Sequence, residues 1–233
     1  MNWLVELIQN HQSQTDRPFC LALSGGSTPQ RLYELLAALT RNAIDWTRIV
    51  LIWGDERNVS QDDPQSNYRM VQEALLSHIE IPAENVLAVP NPSGDLEKSA
   101  VEYETLLRSR LDVGHAESFP SLDCVLLGLG DDVHTASLFP NTLALEERVR
   151  WVVANQVPQL GCWRLTLSAP LINAAKQVAF LVAGPSKTAA LQELWHGPRD
   201  YRKFPAQLIV PASGKLTFFL DQAAIGSVTP PLD

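Results

Sequence analysis

Cys124-Val125-Leu126-Leu127-Gly128-Leu129-Gly130-Asp131-Asp132-Val133-His134-Thr135-Ala136-Ser137-Leu138-Phe139-Pro140 opens as an unbroken apolar run and then arrives at a carboxylate and an imidazole. Consecutive apolar residues leave no side for solvent, so the run reads as a strand buried on both faces, in the middle of a parallel sheet covered by helices. Ligands of such sheets bind at the carboxyl ends of the strands. That is where Asp132 and His134 fall. Taken alone, a D-x-H is more often a turn whose Asp caps the next helix and whose His is half-buried. The rest of the chain decides between the two.

Outward from this segment, short apolar strands alternate with helical stretches. Strands are expected at Phe19 to Leu23, Ile49 to Trp53, Val86 to Val89, Cys124 to Leu127, Trp151 to Ala154, Arg164 to Leu167, Val178 to Ala183 and Leu216 to Leu220. Pro29 to Leu39, Ser66 to Leu76, Leu96 to Leu111 and Ser186 to Trp195 carry apolar residues at helical spacing. The alternation predicts an α/β fold, Rossmann-like, with a mainly parallel sheet and helices on both faces. The turns Asn91-Pro92-Ser93-Gly94 and Gly197-Pro198 are too short to link domains, so one domain is expected over residues 1–233, with room for a small subsidiary lobe.

Composition agrees with a globular chain: 45% of the 233 residues are apolar, ample for a core. A formal net charge of -8, with no basic run, argues against a nucleic-acid partner. An anionic small-molecule substrate would therefore need a local cationic pocket. Met1-Asn2-Trp3-Leu4-Val5-Glu6-Leu7-Ile8 lacks the features of a secretory signal, and no apolar run reaches membrane-spanning length, so a cytoplasmic protein with no membrane partner is expected. Cys20, Cys124 and Cys162 read as reduced core thiols. The six tryptophans read as core and sheet cover, and His11, His78, His115 and His196 as surface residues without a role. No H-x-x-x-H or C-x-x-C pair occurs, so neither a metal nor another cofactor is expected.

Two further strand ends carry chemistry. In Leu23-Ser24-Gly25-Gly26-Ser27-Thr28-Pro29, glycines permit close backbone approach, and Thr28 with Pro29 opens a helix as cap and first-turn residue. Free amides there suit a phosphate, with hydroxyls of Ser24, Ser27 and Thr28 as added donors; a plain tight turn fits as well. Neither a Walker loop nor a dinucleotide fingerprint is present. Ile52-Trp53-Gly54-Asp55-Glu56-Arg57 ends in three charges, read either as an Asp55–Arg57 ion pair or as a site in which Arg57 binds oxyanions. Arg164, inside an apolar strand, and Lys187, at a helix start, are placements that a bound anion would relieve.

Together these motifs resemble the 6-phosphogluconolactonases, within the larger group that includes glucosamine-6-phosphate isomerase/deaminases. The resemblance rests on Ser24 to Pro29, Gly54-Asp55-Glu56-Arg57, Ser66-Asn67-Tyr68, Gly128 to Pro140, Arg164-Leu165-Thr166, Gly184 to Lys187, Phe204-Pro205-Ala206 and Leu220-Asp221-Gln222-Ala223-Ala224, in this order along nearly the whole chain. It implies hydrolysis of 6-phospho-D-glucono-1,5-lactone to 6-phosphogluconate, the second step of the oxidative pentose phosphate pathway, without metal or organic cofactor. His134 is then the general base and acid, and Asp132 either fixes its tautomer or bonds a nearby amide. Arg57 orients the lactone or stabilises its oxyanion. Ser24, Gly25, Gly26, Ser27, Thr28, Asp55, Arg164 and Lys187 make up the substrate and phosphate site.

The Asp-Glu-Arg form favours the lactonase branch over an amino-sugar-phosphate isomerase/deaminase, which would carry an aromatic residue in place of Arg57. Where the family pattern reads Asp-Gly-His, this chain reads Asp132-Val133-His134. A β-branched residue at positive φ is strained, so Val133 is expected at negative φ in a slightly shifted loop. If that change spoils the chemistry, the chain is a non-catalytic sugar-phosphate sensor. The sequence is compatible with a monomer or a dimer.

Overall fold

Strand β1 (Phe19–Leu23) lies at the centre of the molecule because every one of its residues is apolar and buried. In the computed structural model, which describes residues 1–39, 43–111 and 119–231, it pairs in parallel with β2 (Ile49–Trp53) on one side and β5 (Cys124–Leu127) on the other. β3 (Asp55–Arg57) follows β2 and leaves this sheet; β4 (Val86–Leu87) pairs with β2. β8 (Gln177–Val182) and β9 (Lys215–Leu220) extend the other edge, so the order is β4-β2-β1-β5-β8-β9 and each pairing is parallel.

The helices are α1 (Asn2–Gln14), α2 (Ser27–Leu39), α3 (Asn67–Ala74), α4 (Leu96–Arg110), α5 (Ala169–Asn173), α6 (Thr188–His196) and α7 (Gln222–Ile225). Sheet growth runs outward from β1 through β2 to β4, then resumes on the far side at β5. Right-handed crossovers therefore put α2 and α3 on one face and α4 and α6 on the other. The reversal falls between β1 and β5, and a sheet of this kind opens a crevice at such a switch point. Both segments that follow, Ser24 to Thr28 and Gly128 to His134, are the glycine-containing motifs of the sequence.

A second, three-stranded antiparallel sheet of order β3-β7-β6 is built from β3 and the hairpin of β6 (Val152–Val157) and β7 (Cys162–Leu167). Sequence patterning places β6 and β7 but makes β3 a charged turn, because its strand character comes from pairing with β7. The expected strand at Val86 to Val89 is cut to two residues; Pro90, which follows it, has no amide to donate to a ladder. α1 is missing from the sequence expectation, although Leu4 and Ile8 sit one turn apart and are its buried pair.

Trp53, Trp151, Tyr33, Tyr103, Phe19 and Phe180 are the largest fully buried side chains. Trp46 joins them, but Trp163 is 38% exposed on β7, contrary to the expectation that the tryptophans all serve the core. Cys20 and Cys124 are core thiols, whereas Cys162 is only half-buried. His11 is the reverse case: sequence reads it as a surface residue, yet its ring packs edge-on to Phe19 and Nε2 bonds the Arg17 carbonyl oxygen at 2.8 Å. His78 and His196 bond main-chain oxygens near helix ends, and His115 lies outside the described residues. Among the described residues, no helix is long and apolar enough to cross a membrane.

Candidate active site

Two tyrosines hold neighbouring strand ends in the same way. The Tyr33 hydroxyl accepts from Ser24 N and donates to Ser24 O, both at 2.9 Å, while the Tyr103 hydroxyl accepts from Trp53 N at 2.7 Å and donates to Trp53 O. Each clamps a residue whose main chain is turning out of the sheet, so no strand partner satisfies both groups. After Ser24 the turn needs its glycines for different reasons. A Cβ on Gly25 would lie 2.0 Å from Asn67 Oδ1, and Gly26 has φ of +100°. α2 then begins at Ser27, so Thr28 and Pro29 both occupy its first turn, and Thr28 does not cap it.

Gly128 to Phe139 forms the facing lip. His134 Nδ1 is 2.5 Å from Asp132 Oδ1, and the same oxygen accepts from His134 N at 3.2 Å. Asp132 thus contacts both the ring nitrogen and an amide, the two partners that sequence left as alternatives. Burial pushes the Asp132 carboxyl up, but the hydrogen bonds and charge of His134 outweigh it and hold it below the usual carboxylate range. The imidazole stacks on Phe139 with ring centroids 4.0 Å apart. A Cβ on Gly130 would lie 2.1 Å from His134 Nδ1, so glycine at 130 is a condition for this pair to form.

Val133 has φ of +63°, which corrects the expectation of a negative value. Three main-chain bonds bracket the residue and hold this conformation: Gly130 N to His134 O, Val133 N to Gly130 O, and Ala206 N to Val133 O. A left-handed non-glycine residue costs about 1–2 kcal/mol, and burial of an isopropyl group, here 2% exposed in the core, returns about 1.5–3 kcal/mol. The bond from Ala206 explains the Phe204-Pro205-Ala206 motif, which braces this loop from outside.

Asp55 and Arg57 do not pair with each other. Asp55 Oδ2 accepts from Ser137 Oγ at 2.7 Å, and Asn67 Nδ2 donates to the Asp55 carbonyl oxygen at 2.9 Å. Arg57 Nη1 donates to the Gln65 carbonyl oxygen at 2.5 Å. Buried Glu56 accepts from the amides of Arg57, Asn67 and Tyr68, each at 2.8 Å, and so ties β3 to the start of α3. Burial pushes its carboxyl up, against the pull of those amides. On the next strand Arg164 is the direct cross-strand partner of Arg57. Like charges in register repel, so this pair of guanidiniums invites an anion.

Lys187 ends a single 3-10 turn (Pro185–Lys187) ahead of α6, and its Nζ is 2.6 Å from Asp131 Oδ1. Gly184, at φ of +93°, donates its amide to the Asp221 carboxylate, which also caps α7 at Ala224. The Leu220 to Ala224 motif therefore supports the turn that carries Lys187.

Ser24, Gly25, Gly26, Ser27, Thr28, Asp55, Arg57, Asp132, His134, Arg164 and Lys187 all line one cavity of about 570 Å³. Ser137, Phe139 and Leu160 line it too, and sequence reading missed them. Ser137 and Phe139 sit inside a quoted motif, three and five residues past His134, but only the fold turns them toward the cleft. Among the described residues, no three His, Cys, Asp or Glu side chains converge as a metal cage.

Residues 1–218 match the family model described as glucosamine-6-phosphate isomerases/6-phosphogluconolactonase. The chain belongs to this family. It is 45% identical over 212 residues to a 6-phosphogluconolactonase of Synechocystis sp., covering 90% of this chain and 85% of the relative. To the Haemophilus influenzae 6-phosphogluconolactonase it is 35% identical over 217 residues, 91% and 89% of the two chains. The crystal structure of 6-phosphogluconolactonase from Leishmania guyanensis matches with a TM-score of 0.84 at 32% identity, over 98% of this chain and 93% of that one.

Proposed function

We propose that the chain hydrolyses 6-phospho-D-glucono-1,5-lactone to 6-phospho-D-gluconate, with His134 as general base and without a metal in the step. The observation that carries this reading is the His134 Nδ1 contact to an ionised Asp132 inside the cavity. With Nδ1–H held by the carboxylate, Nε2 is the nitrogen left to take a proton from water. The hydroxide attacks the lactone carbonyl carbon, and the guanidinium of Arg57 faces the oxyanion that develops. Collapse of that intermediate breaks the bond from the carbonyl carbon to the ring oxygen. The imidazolium, stabilised by Asp132, then returns its proton to that oxygen.

Arg164, Lys187 and the amides and hydroxyls of Ser24 to Thr28 hold the remote phosphate, which positions the carbonyl over the imidazole. The cross-strand Arg57–Arg164 pair supports an anionic substrate, and Arg57 itself supports the lactonase branch of the family over an isomerase or deaminase.

The test is hydrolysis of the lactone, generated in place from glucose 6-phosphate and corrected for spontaneous opening. Wild-type protein should accelerate it, and His134→Ala should lower kcat by about 10²–10⁴-fold with a small change in KM. Turnover of glucosamine 6-phosphate instead would transfer the chain to the isomerase/deaminase branch. Binding of 6-phosphogluconate without any lactone turnover would make it a sensor.

A further inference from the structure

Lys187 differs from the other two cations of the cleft in already carrying a carboxylate. Its Nζ is 2.6 Å from Asp131 Oδ1, and Ser186 Oγ lies 3.4 Å from the same oxygen. Arg57 and Arg164 donate instead to the main-chain carbonyl oxygens of Gln65 and Trp163. Among the described residues, neither guanidinium makes an ion pair. Asp131 directly precedes Asp132, but only Asp132 engages the imidazole. The Asp131 side chain is 68% exposed and that of Lys187 24%, and both line the cavity.

We propose that Asp131 is an internal anion that occupies the Lys187 subsite in the free protein, yields it to the ligand phosphate, and then repels the product. This rests on the reading of Lys187 as a phosphate ligand. An exposed pair of this kind is weak and easily exchanged. A phosphate ester brings about -1.5 to -2 charges and three acceptor oxygens against the single charge of a carboxylate, so it displaces Asp131 from the ammonium. The displaced carboxylate stays tethered beside the phosphate.

Ring opening adds a second anion, because the ester becomes a carboxylate, and the cleft then holds one more negative charge than before. The lining acids Asp55, Asp131 and Asp132 already equal the cations Arg57, Arg164 and Lys187 in number. Repulsion from Asp131 therefore falls harder on product than on substrate. Asp55 is bonded to Ser137 and Asp132 to His134, which leaves Asp131 as the acid able to swing back onto Lys187 as the product departs.

The experiment compares wild type, Asp131→Asn, Lys187→Ala and the double variant by calorimetric binding of 6-phosphogluconate and of inorganic phosphate, alongside progress curves for the lactone. Removing the Asp131 charge should tighten both ligands by about threefold to tenfold and strengthen product inhibition to match. Turnover of unphosphorylated gluconolactone should change little. In the Lys187→Ala background only the repulsion remains, so the same substitution should tighten either ligand clearly less than it does in wild type. Weaker or unchanged binding by Asp131→Asn would mean that the carboxylate only orients Lys187, and the proposal would be wrong. An undiminished gain in the Lys187→Ala background would reduce it to a general charge effect and equally overturn it. The inorganic phosphate arm reads the subsite whatever reaction the protein catalyses, so a failure of lactone turnover with phosphate binding tightened would count against the functional reading alone.

Discussion

The two walls of the cleft are built on different principles. One wall comes from the parallel sheet, where Gly26, Val133 and Gly184 all have positive φ and Gly130 is packed against His134. The other comes from β3 and β7, whose backbone is ordinary antiparallel strand and whose Asp55 and Glu56 side chains are tied to the Ser137 hydroxyl and to the amides of Arg57, Asn67 and Tyr68. The first wall shapes main chain around the Asp132–His134 pair, whose proposed proton transfer works only at hydrogen-bond distance and alignment. The second supports cations, whose influence falls off slowly with distance. A site that needs both can take its angles from backbone turns and its charges from a side-chain net.

Damage to the first wall should therefore be expressed in kcat and damage to the second in stability and KM. Among residues that support the pair from outside it, the largest effect is expected at Gly130. Gly130→Ala puts a methyl 2.1 Å from His134 Nδ1 and 2.7 Å from Asp132 Oδ1, so the imidazole must move. A displacement of that size should lower kcat by about 10²-fold, with urea unfolding little changed. Retention of activity within about threefold would break the claim that main chain sets the pair.

Next comes Glu56→Gln, which offers the amides of Arg57, Asn67 and Tyr68 one oxygen and one donor in place of two acceptors. An amide left without its acceptor in a buried position costs about 1–3 kcal/mol, readable as a lower urea midpoint at unchanged slope. An unshifted midpoint would show that β3 stands without this clamp. Arg164→Ala should raise KM for the phosphorylated lactone about tenfold while leaving kcat and the unphosphorylated lactone nearly as they were. Equal effects on the two lactones would remove Arg164 from the phosphate.

The smallest change is expected from Val133→Gly, where relief of about 1–2 kcal/mol of left-handed strain opposes about 1.5–3 kcal/mol of lost burial. Stability should move by about 1 kcal/mol or less and kcat by about threefold or less. A large gain in kcat would show that valine pulls the catalytic loop off its productive geometry, and would sharpen the picture of that wall as angle-limited.

Much of the first wall is legible in the sequence because its signals are local. Apolar runs that end in Ser24-Gly25-Gly26 and in Gly128-Leu129-Gly130 announce strands that stop at turns, and D-x-H announces a titratable pair within hydrogen-bonding reach. Residue type alone does not reveal that Val133 would accept positive φ. That choice depends on the Ala206 amide and on a core pocket for the isopropyl group, both supplied from elsewhere in the chain.

The second wall is hardly legible. Nothing near Asp55-Glu56-Arg57 says that these residues form a strand, since their ladder partner is Thr166-Leu165-Arg164. The ion pair read from the D-E-R spelling is absent for the same reason: Ser137 and Asn67 reach Asp55 from other parts of the fold. Lys187 and Asp131 are likewise far apart in sequence, and only the supported turn before α6 brings them together.

By itself, then, the sequence determined the alternation of strands and helices, the strand ends that carry titratable and glycine-rich segments and the nearness of Asp132 to His134, because these depend on periodicity and on neighbours along the chain. Tertiary structure decided which cations face which anions, how the tyrosines grip the strand ends and which backbone angles the loop adopts. Those outcomes depend on strand order and on contacts between distant segments, which exist only once the sheet has closed around β1.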